Sequence, residues 1–347
     1  MSLIDFNAIV SEAWQAYDSS RNIVRIEDIS AKVSTNHVYR ITLEDRNFIV
    51  AKLSYFGKFE HFVEDHTIIN SLSNNLPEPY ENVLSRSLMK GNELFVHRHK
   101  SEIIDAWVVF YRPIKIRNKL PRRLNEEQIV MLGKEMAKFH KACDMVKGTL
   151  PPSAKTMNVD IDDLLNTLES PEGQFEYRSH IGLIQDQCGS FKENYVKLDA
   201  DSLNPMPVFV DWNIGNFSMT PHFKLFSRWD YDWFRMSSRI MDFYFFSRVV
   251  SEIGDRTIFS YNIDVLMQER FLLFLKSYHK YYPLTEQEIL LIKETYRFFL
   301  LTYVVKYGRY FFHELFANKL QQEAFEQHLP NIDQKFDPKP ILDALNL

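Results

Sequence analysis

Three oxygen-bearing side chains are spaced within one non-helical stretch, residues 207–234, in a way that suits chemistry on phosphate groups. Asp211 follows a short apolar run, Asn216 comes five residues later behind Gly215, and Asp230 ends a second apolar run. Phosphoryl-transfer sites place a base and two metal-ligating oxygens in this manner, at the ends of strands and on the loop between them. Mg²⁺ prefers hard oxygen ligands and completes its shell with phosphates and water. The spacing therefore predicts Asp211 as a base and Asn216 and Asp230 as magnesium ligands.

The elements around this stretch change character along the chain. In the first third, apolar and polar residues alternate with the period of strands, and one segment has the period of a helix. The predicted strands are 22–30, 37–43, 47–53, 82–89, 93–99 and 105–111, and the predicted helix is 59–72. This order predicts a small antiparallel sheet with a single inserted helix.

After Pro113 the helical period dominates. Residues 126–146 combine a strong 3.6-residue period with an acidic first turn, which is typical of a helix start. Further helices are predicted at 160–168, 191–198, 239–253, 264–281 and 285–316. The fold class is therefore α+β and bilobal, with an N-terminal sheet lobe at 1–113 and a larger, mainly helical lobe at 114–347.

Composition excludes several other ways of binding phosphate. The chain has 10 glycines among 347 residues, and none of them forms a G-x-G pair or opens a G-x-x-x-x-G-K-[ST] string. A dinucleotide-binding fingerprint and a P-loop are therefore both absent. The net charge of −5 argues against nucleic acid or a membrane as a partner. Two isolated cysteines and the absence of a signal-peptide pattern lead us to expect a cytoplasmic protein.

Several strings, in order, resemble the aminoglycoside phosphotransferase and choline kinase family, which are small-molecule kinases with a protein-kinase-like fold. The stretch F-V-D-W-N-I-G-N at 209–216 resembles the family's catalytic loop H-G-D-L-x-x-G-N. W-D-Y at 229–231 followed by D-F at 242–243 is similar to its second metal string, and L-G-K-E-M-A-K-F-H at 132–140 to its L-G-x-x-L-A-x-L-H helix. S-T-N-H-V-Y at 34–39 and F-I-V-A-K at 48–52 look like its nucleotide loop and its lysine strand.

The resemblance implies roles for individual residues. Lys52 would bind the phosphates of ATP and pair with a helix glutamate, for which Glu64 is the first choice and Glu60, one turn earlier, the alternative. Ser34, Thr35 and Asn36 would cover the phosphates, and Mg²⁺ would be the metal. The expected activity is an ATP-dependent transfer to a hydroxyl group of a small molecule, with Asp211 as the base.

One position departs from the family pattern. The histidine two residues before the catalytic aspartate is Phe209 in this chain. An aromatic ring could support the loop by packing in place of the histidine. The alternative is a pseudokinase-like scaffold that binds a nucleotide or a partner without transferring phosphate.

The acceptor is the least determined part of the prediction. Asp232 and Trp233 are weak candidates for acceptor contacts, because an acidic group could meet an amine and an aromatic ring could face a quaternary ammonium. Aminoglycosides, choline or ethanolamine, homoserine and sugars all remain open as acceptors. An aromatic stripe at helical spacing is more often core than a binding cage. Asp242 and His140 are interpreted as structural residues near the catalytic loop.

Overall fold

The computed structural model describes residues 4–31, 36–118, 120–254 and 260–347, in which a five-stranded antiparallel sheet is followed by a mainly helical remainder. The first part contains, in chain order, α1 (Phe6–Tyr17), β1 (Ile23–Asp28), β2 (His37–Leu43), β3 (Phe48–Ser54), α2 (Phe59–Asn75), β4 (Met89–Lys90), β5 (Glu93–Leu94), β6 (Val96–Lys100) and β7 (Asp105–Tyr111). The large sheet has the strand order β1-β2-β3-β7-β6. The predicted fold class is confirmed.

The centre of this sheet positions the predicted phosphate-binding lysine. On β3, Lys52 lies opposite Val38 of β2 and Val109 of β7. A strand flanked on both sides has all its backbone hydrogen bonds satisfied, so the side chain is held by a rigid element. Lys52 is 5% exposed, which makes it a buried cation rather than a lysine on a sheet edge.

Helix α1 covers the outer face of the sheet and was missed by the sequence analysis, which predicted one helix beside the strands. Asp5 caps its first turn by accepting a hydrogen bond from the Ala8 N–H at 3.1 Å. Ile9, Val10 and Trp14 are buried and form one core cluster with the inward side chains of the sheet. The sheet lobe therefore carries two helices, one on each side.

The strand predicted at 82–89 is wrong for most of its length. Leu84 and Ser87 form only isolated bridges, to Arg228 and Tyr111. Gly91 and Asn92 join the two-residue strands β4 and β5. β7 pairs with β3 on one side and, on the other, with β6, which starts after this short hairpin.

The helical part agrees with the sequence most closely where capping signals are strong. Asn125 and Gln128 form a capping box, and α3 spans the predicted residues, Glu126–Val146. The helices α4 (Met157–Glu169), α5 (Pro171–Glu176), α6 (Ile181–Lys197), α7 (Phe243–Val250), α8 (Glu269–Tyr281), α9 (Glu286–Phe299), α10 (Gly308–Phe311), α11 (Glu314–Glu323), α12 (Ile332–Lys335) and α13 (Lys339–Leu345) follow. The helix predicted at 285–316 is interrupted, because residues Leu300–Lys306 form a π-helix that ends before Gly308.

Between α6 and α7 the chain forms four short strands around the predicted chemical stretch: β8 (Met206–Val208), β9 (Phe217–Met219), β10 (Leu225–Arg228) and β11 (Arg235–Ser237). β9 pairs with β10 and β8 pairs with β11, all antiparallel. The two apolar runs that precede Asp211 and Asp230 are thus β8 and β10. The main core cluster fills the helical part and includes Ile68 and Leu72 of α2, so a lobe boundary at residue 113 stays a prediction.

Candidate functional site

The loop after β8 holds Asp211 in a constrained backbone. Val210 has a φ of +58°, which is a left-handed conformation that β-branched residues rarely adopt. The Asp211 N–H donates to the Phe209 carbonyl at 2.6 Å, which closes a tight turn. Strained residues of this kind persist only where the surroundings fix them, and they concentrate at functional sites.

Asp242 fixes this turn from the core side. Its Oδ1 accepts hydrogen bonds from the backbone N–H groups of Phe209 at 3.0 Å and Val210 at 2.6 Å. Its Oδ2 lies 3.0 Å from His140 Nε2, and His140 Nδ1 lies 2.7 Å from the Tyr278 hydroxyl. Asp242 and His140 are both fully buried, and these hydrogen bonds connect the loop to α3 and the core, as expected of structural residues.

Arg228 fixes the loop from the other side, and the sequence analysis did not single it out. The fully buried guanidinium donates to the carbonyls of Asp211 at 2.9 Å and Asn216 at 3.1 Å. It also lies 5.2 Å from the centroids of the Phe209 and Trp212 rings. Phe209 therefore supports the loop by packing against the cation that orients it. The signal that could have revealed Arg228 is a charged residue at the end of an otherwise apolar run.

The β9–β10 hairpin brings Asp230 next to Asn216. The Trp229 N–H donates to the Asn216 carbonyl at 3.0 Å, one residue before Asp230. Asn216 Nδ2 donates to the Asp211 carbonyl at 3.3 Å, so its Oδ1 is the amide atom left for a cation. One amide oxygen and one carboxylate are a ligand set that suits Mg²⁺ when phosphates supply the rest.

Lys52 reaches this group across the space between the sheet and the helical part. Its ammonium lies 3.0 Å from Asp230 Oδ1 and also contacts Asp232 Oδ1. Asn36 Nδ2 donates to Asp232 Oδ2 at 2.5 Å. The structure thus brings together four predicted site residues: Asn36, Lys52, Asp230 and Asp232.

Glu64 does not pair with Lys52, so this prediction is wrong in the structure. Its carboxylate accepts hydrogen bonds from Ser153 Oγ at 2.6 Å and from the Ala154 N–H at 3.0 Å. The alternative, Glu60, is exposed and lies 3.9 Å from Arg98. The rotation of α2 is the physical reason, since it turns Asp65 and His66 inward and leaves the two glutamates toward its outer sides.

The electrostatics of the site follow from this crowding. Burial and the negative charge of Asp230 raise the pKa of Asp211 to about 7. Burial, again with the charge of Asp230, raises the pKa of Asp232 to about 6. Against the effect of burial, the two carboxylates raise the pKa of Lys52, and Lys52 lowers the pKa of Asp230. Lys52 and Asp230 are therefore ionised at neutral pH, while Asp211 is poised to exchange a proton.

Two cavities meet at the predicted metal ligands. The larger, of about 550 Å³, is lined by β2, β3, the connector at 112–116, Lys52, Gly215, Asn216 and Asp230. The smaller, of about 140 Å³, is lined by Asn36, Asp211, Asn216, Asp230, Asp232 and Trp233, among others. Asn216 and Asp230 line both cavities. We refer to them as the sheet cavity and the loop cavity.

Trp233, a weak candidate for an acceptor contact, lies within the described structure. Trp233 is buried and lines the loop cavity with Asp211, so it lies where an acceptor contact would be needed. Its ring also packs 5.0 Å from Tyr303, which is a core contact. Ser34 and Thr35 lie outside the described residues.

A five-stranded sheet, a helical lobe and a short hairpin that carries an Asp-x-x-x-x-Asn loop define the protein-kinase-like fold of small-molecule phosphotransferases. Three solved structures share it. The amicoumacin kinase hAmiN, in complex with AMP-PNP, Ca²⁺ and Ami, has a TM-score of 0.65 at 13% identity, with 97% of each chain covered. A microcompartment-associated aminopropanol kinase has a TM-score of 0.57 at 12% identity and covers 90% of this chain and 92% of its own. The gentamicin complex of APH(2″)-IIa has a TM-score of 0.55 at 13% identity, with coverages of 94% and 98%.

These structural similarities, at low sequence identity, establish a shared fold. The activity has to be argued from the site. No family model matches the chain, and no curated protein matches it. None of the helices in the described residues has the length and apolarity that crossing a membrane requires. In the same described ranges, no group of three or more His, Cys, Asp or Glu side chains could hold a metal ion. A cation at Asn216 and Asp230 would therefore need phosphate or water oxygens as further ligands.

Proposed function

We propose that the chain is an ATP- and Mg²⁺-dependent phosphotransferase that phosphorylates a hydroxyl group of a small molecule, within the aminoglycoside phosphotransferase and choline kinase family. The observation that carries this proposal is the position of Asn216 and Asp230, which line both the sheet cavity and the loop cavity. A cation held there would lie between a nucleotide in the first cavity and an acceptor in the second. The complex of hAmiN with AMP-PNP and Ca²⁺ supports the same combination of ligands.

Each side chain would have a definite part in the transfer. Lys52 would neutralise phosphate charge, and Asn216 and Asp230 would hold Mg²⁺, which supplies charge neutralisation at the phosphates. Asp211 would orient the acceptor hydroxyl and take its proton as the oxygen bonds to the γ-phosphorus and the bond to the ADP oxygen breaks. Transfer of this kind depends mostly on positioning and charge neutralisation, so few groups are needed.

The braced loop favours activity over a scaffold role. A pseudokinase has no need to hold its catalytic loop in a strained conformation, whereas Asp242 and Arg228 fix both ends of this loop. Phe209 packs against Arg228 and thereby replaces the support that the family histidine gives.

The proposal is tested by nucleotide binding and by turnover. Mg-ATP and Mg-GTP should be compared by thermal shift, and the melting temperature should rise with at least one of them. Lys52→Met should lose most of that rise, because the buried cation that meets the phosphates is removed. Lys141→Met, at an exposed position on α3, is the matched control. No shift with either nucleotide would contradict the proposal.

Turnover separates a kinase from a scaffold. ADP formation should be screened over aminoglycosides, amino alcohols, homoserine and sugars, with the wild type beside Asp211→Asn. Removal of a general base is expected to slow transfer by about 10²–10⁴-fold. If nucleotide binds but no acceptor is phosphorylated above the Asp211→Asn background, the scaffold function is supported instead.

A further inference from the structure

A third cavity, of about 340 Å³, opens from the loop cavity and is large enough to hold a small molecule. Asn36, Asp232 and Phe311 line both cavities, so the two are continuous. This cavity, which we call the α4 cavity, lies between the start of α2, α4 and the π-helix at Leu300–Lys306. Asp211 lines the loop cavity, so an acceptor held at the base would extend into the α4 cavity.

Each carboxylate of the α4 cavity already contacts a cation of the same chain. Asp65 is bound by Lys155, at 2.6 Å, and Asp160 by Arg235, at 2.9 Å. Asp163 pairs with Lys306, and Asp232 shares Lys52 with Asp230. An acceptor rich in amines would have to break these pairs, and breaking a partly buried pair leaves a charge without a partner.

One cation in the wall of the cavity has no carboxylate partner. Lys58, at the turn before α2, is exposed and forms no ion pair within the described part of the chain. It lines the cavity together with Asp163 and Lys306, which pair with each other. The Lys58 ammonium is therefore available to an anionic ligand. Desolvation, together with Lys155 and Lys58, lowers the pKa of the neighbouring His61.

The rest of the wall is apolar or aromatic, and includes Phe56, Phe62, Phe234, Tyr303, Tyr307 and Tyr310. These rings would face the body of a ligand rather than its charged end. Lys58 is the one lysine of the described cavity wall without an ion-pair partner. A carboxylate, with one negative charge, therefore fits better than a doubly charged phosphate.

We infer that the acceptor is a hydroxy acid: its carboxylate would lie at Lys58 and Lys306, its apolar body against the tyrosines, and its hydroxyl at Asp211. This inference rests on the proposed function and narrows its acceptor. In the transfer, the hydroxyl oxygen bonds to the γ-phosphorus, the bond to the departing ADP breaks, and the proton goes to Asp211. The carboxylate stays unchanged and serves only to position the acceptor.

The first test measures binding without nucleotide, and so does not depend on kinase activity. Calorimetry should compare para-(hydroxymethyl)benzoate with its neutral amide, para-(hydroxymethyl)benzamide, and with inorganic phosphate. The benzoate should bind more tightly than the amide, and Lys58→Gln should weaken the benzoate about fivefold, as expected for a solvent-accessible ion pair. Lys58→Arg should retain binding, and Lys141→Gln is the matched control.

The second test measures turnover with ATP. Hydroxy acids such as para-(hydroxymethyl)benzoate, gamma-hydroxybutyrate and homoserine should give higher kcat/KM than choline, aminopropanol or gentamicin. Lys58→Gln should raise KM for the hydroxy acids and leave kcat nearly unchanged, because Lys58 would bind the acceptor without touching the reacting atoms.

The outcomes distinguish the two proposals. Turnover of amines that is insensitive to Lys58→Gln would overturn the hydroxy-acid inference while the kinase function stands. Equal binding of benzoate and amide, or tighter binding of phosphate than of benzoate, would also overturn it. Failure of Mg-nucleotide to bind would overturn the proposed function, and the nucleotide-free calorimetry would still decide what the α4 cavity holds.

Discussion

Asp211 combines two properties that a catalytic base needs, a position in the wall of the loop cavity beside the predicted metal ligands and a pKa near neutrality. Burial and the Asp230 carboxylate raise this pKa to about 7, so the charged form gains population as the pH rises through that value. Only the charged form can accept a proton. We therefore expect kcat/KM to rise about tenfold per pH unit below pH 7 and to level off above it.

A bound divalent cation refines this prediction. Positive charge at Asn216 and Asp230 favours the ionised form of Asp211, so the midpoint for kcat, which reports the loaded enzyme, should lie below the midpoint for kcat/KM. Steady-state rates from about pH 5 to 9, measured at constant ionic strength, check both midpoints, since this range extends about two units either side of the expected pKa. A flat kcat/KM profile with a measurable rate would rule out Asp211 as the base.

Phe209 packs against its neighbours, so replacing it with the family histidine should not increase activity. The ring is fully buried and faces the Arg228 guanidinium. An imidazole there would lose apolar packing and add polar atoms that lack a prepared partner. Phe209→His should lower the free energy of unfolding by about 2–4 kcal/mol and should not raise kcat.

Phe209→Leu is the control, since it keeps an apolar side chain and loses only the ring face. Its effect on stability should be smaller than that of Phe209→His, as measured by urea unfolding. If the Phe209→His variant were as stable as the wild type and had a higher kcat, Phe209 would instead be a substitution that impairs the catalytic loop.

Single residues of the site differ in how far spacing alone could identify them. Asp211 and Asn216 lie on the loop before β9, and Asp230 lies just after β10. Because β9 and β10 form one hairpin, their order along the chain nearly determines their proximity. The partner of Lys52 could not be found in this way, because it depends on the rotation of α2 and on a contact between residues far apart in sequence. Asp232 was assigned a weak substrate role, yet it binds both Lys52 and Asn36.

At the scale of elements, the catalytic loop is held by residues of the core in addition to its own hydrogen bonds. Asp242 lies at the start of α7 and binds two loop N–H groups and His140 of α3. Asp242→Ala would leave these buried groups without an acceptor. We expect it to lower the free energy of unfolding by about 3–5 kcal/mol, as for a broken buried pair.

Asp264→Ala is a matched control, because Asp264 is exposed and pairs with Lys335 on the surface. Its cost should stay below about 1 kcal/mol in urea unfolding. The structural role of Asp242 would be refuted if both variants had similar stability. If the Asp242→Ala protein were as stable as the wild type but inactive, Asp242 would instead take a direct part in the transfer.

Elements were predictable where local signals and tertiary packing agree. The capping box of α3 marks its start, and the buried β-branched runs of β2, β3 and β7 specify strands under any packing. Residues 82–89 alternate like a strand, but their neighbours in space are Arg228 and Tyr111, which allow only single bridges. The π-helix at Leu300–Lys306 has no local signal, and all of its residues are buried, so its wider turn depends on packing that the sequence does not reveal.

At the scale of the whole molecule, the sheet lobe and the helical part are joined at the site by polar contacts. Lys52 contacts Asp230 and Asp232, and Asn36 donates to Asp232. A nucleotide that binds Lys52 must compete with both carboxylates for the ammonium. Asp232 is the weaker competitor, because burial and the charge of Asp230 raise its pKa to about 6. Nucleotide binding is therefore expected to depend on releasing Asp232 from Lys52.

Asp232→Asn tests this coupling while it keeps the size of the side chain. The variant removes one competitor for Lys52 and the repulsion between two neighbouring carboxylates, so Mg-AMP-PNP should bind about three- to tenfold more tightly. Calorimetry with and without Mg²⁺ is the measurement, and Asp186→Asn, at an exposed position on α6, is the control. If affinity fell only in the presence of Mg²⁺, Asp232 would instead be a metal ligand beside Asn216 and Asp230. If affinity were unchanged, the contact between Lys52 and Asp232 would have no part in nucleotide binding.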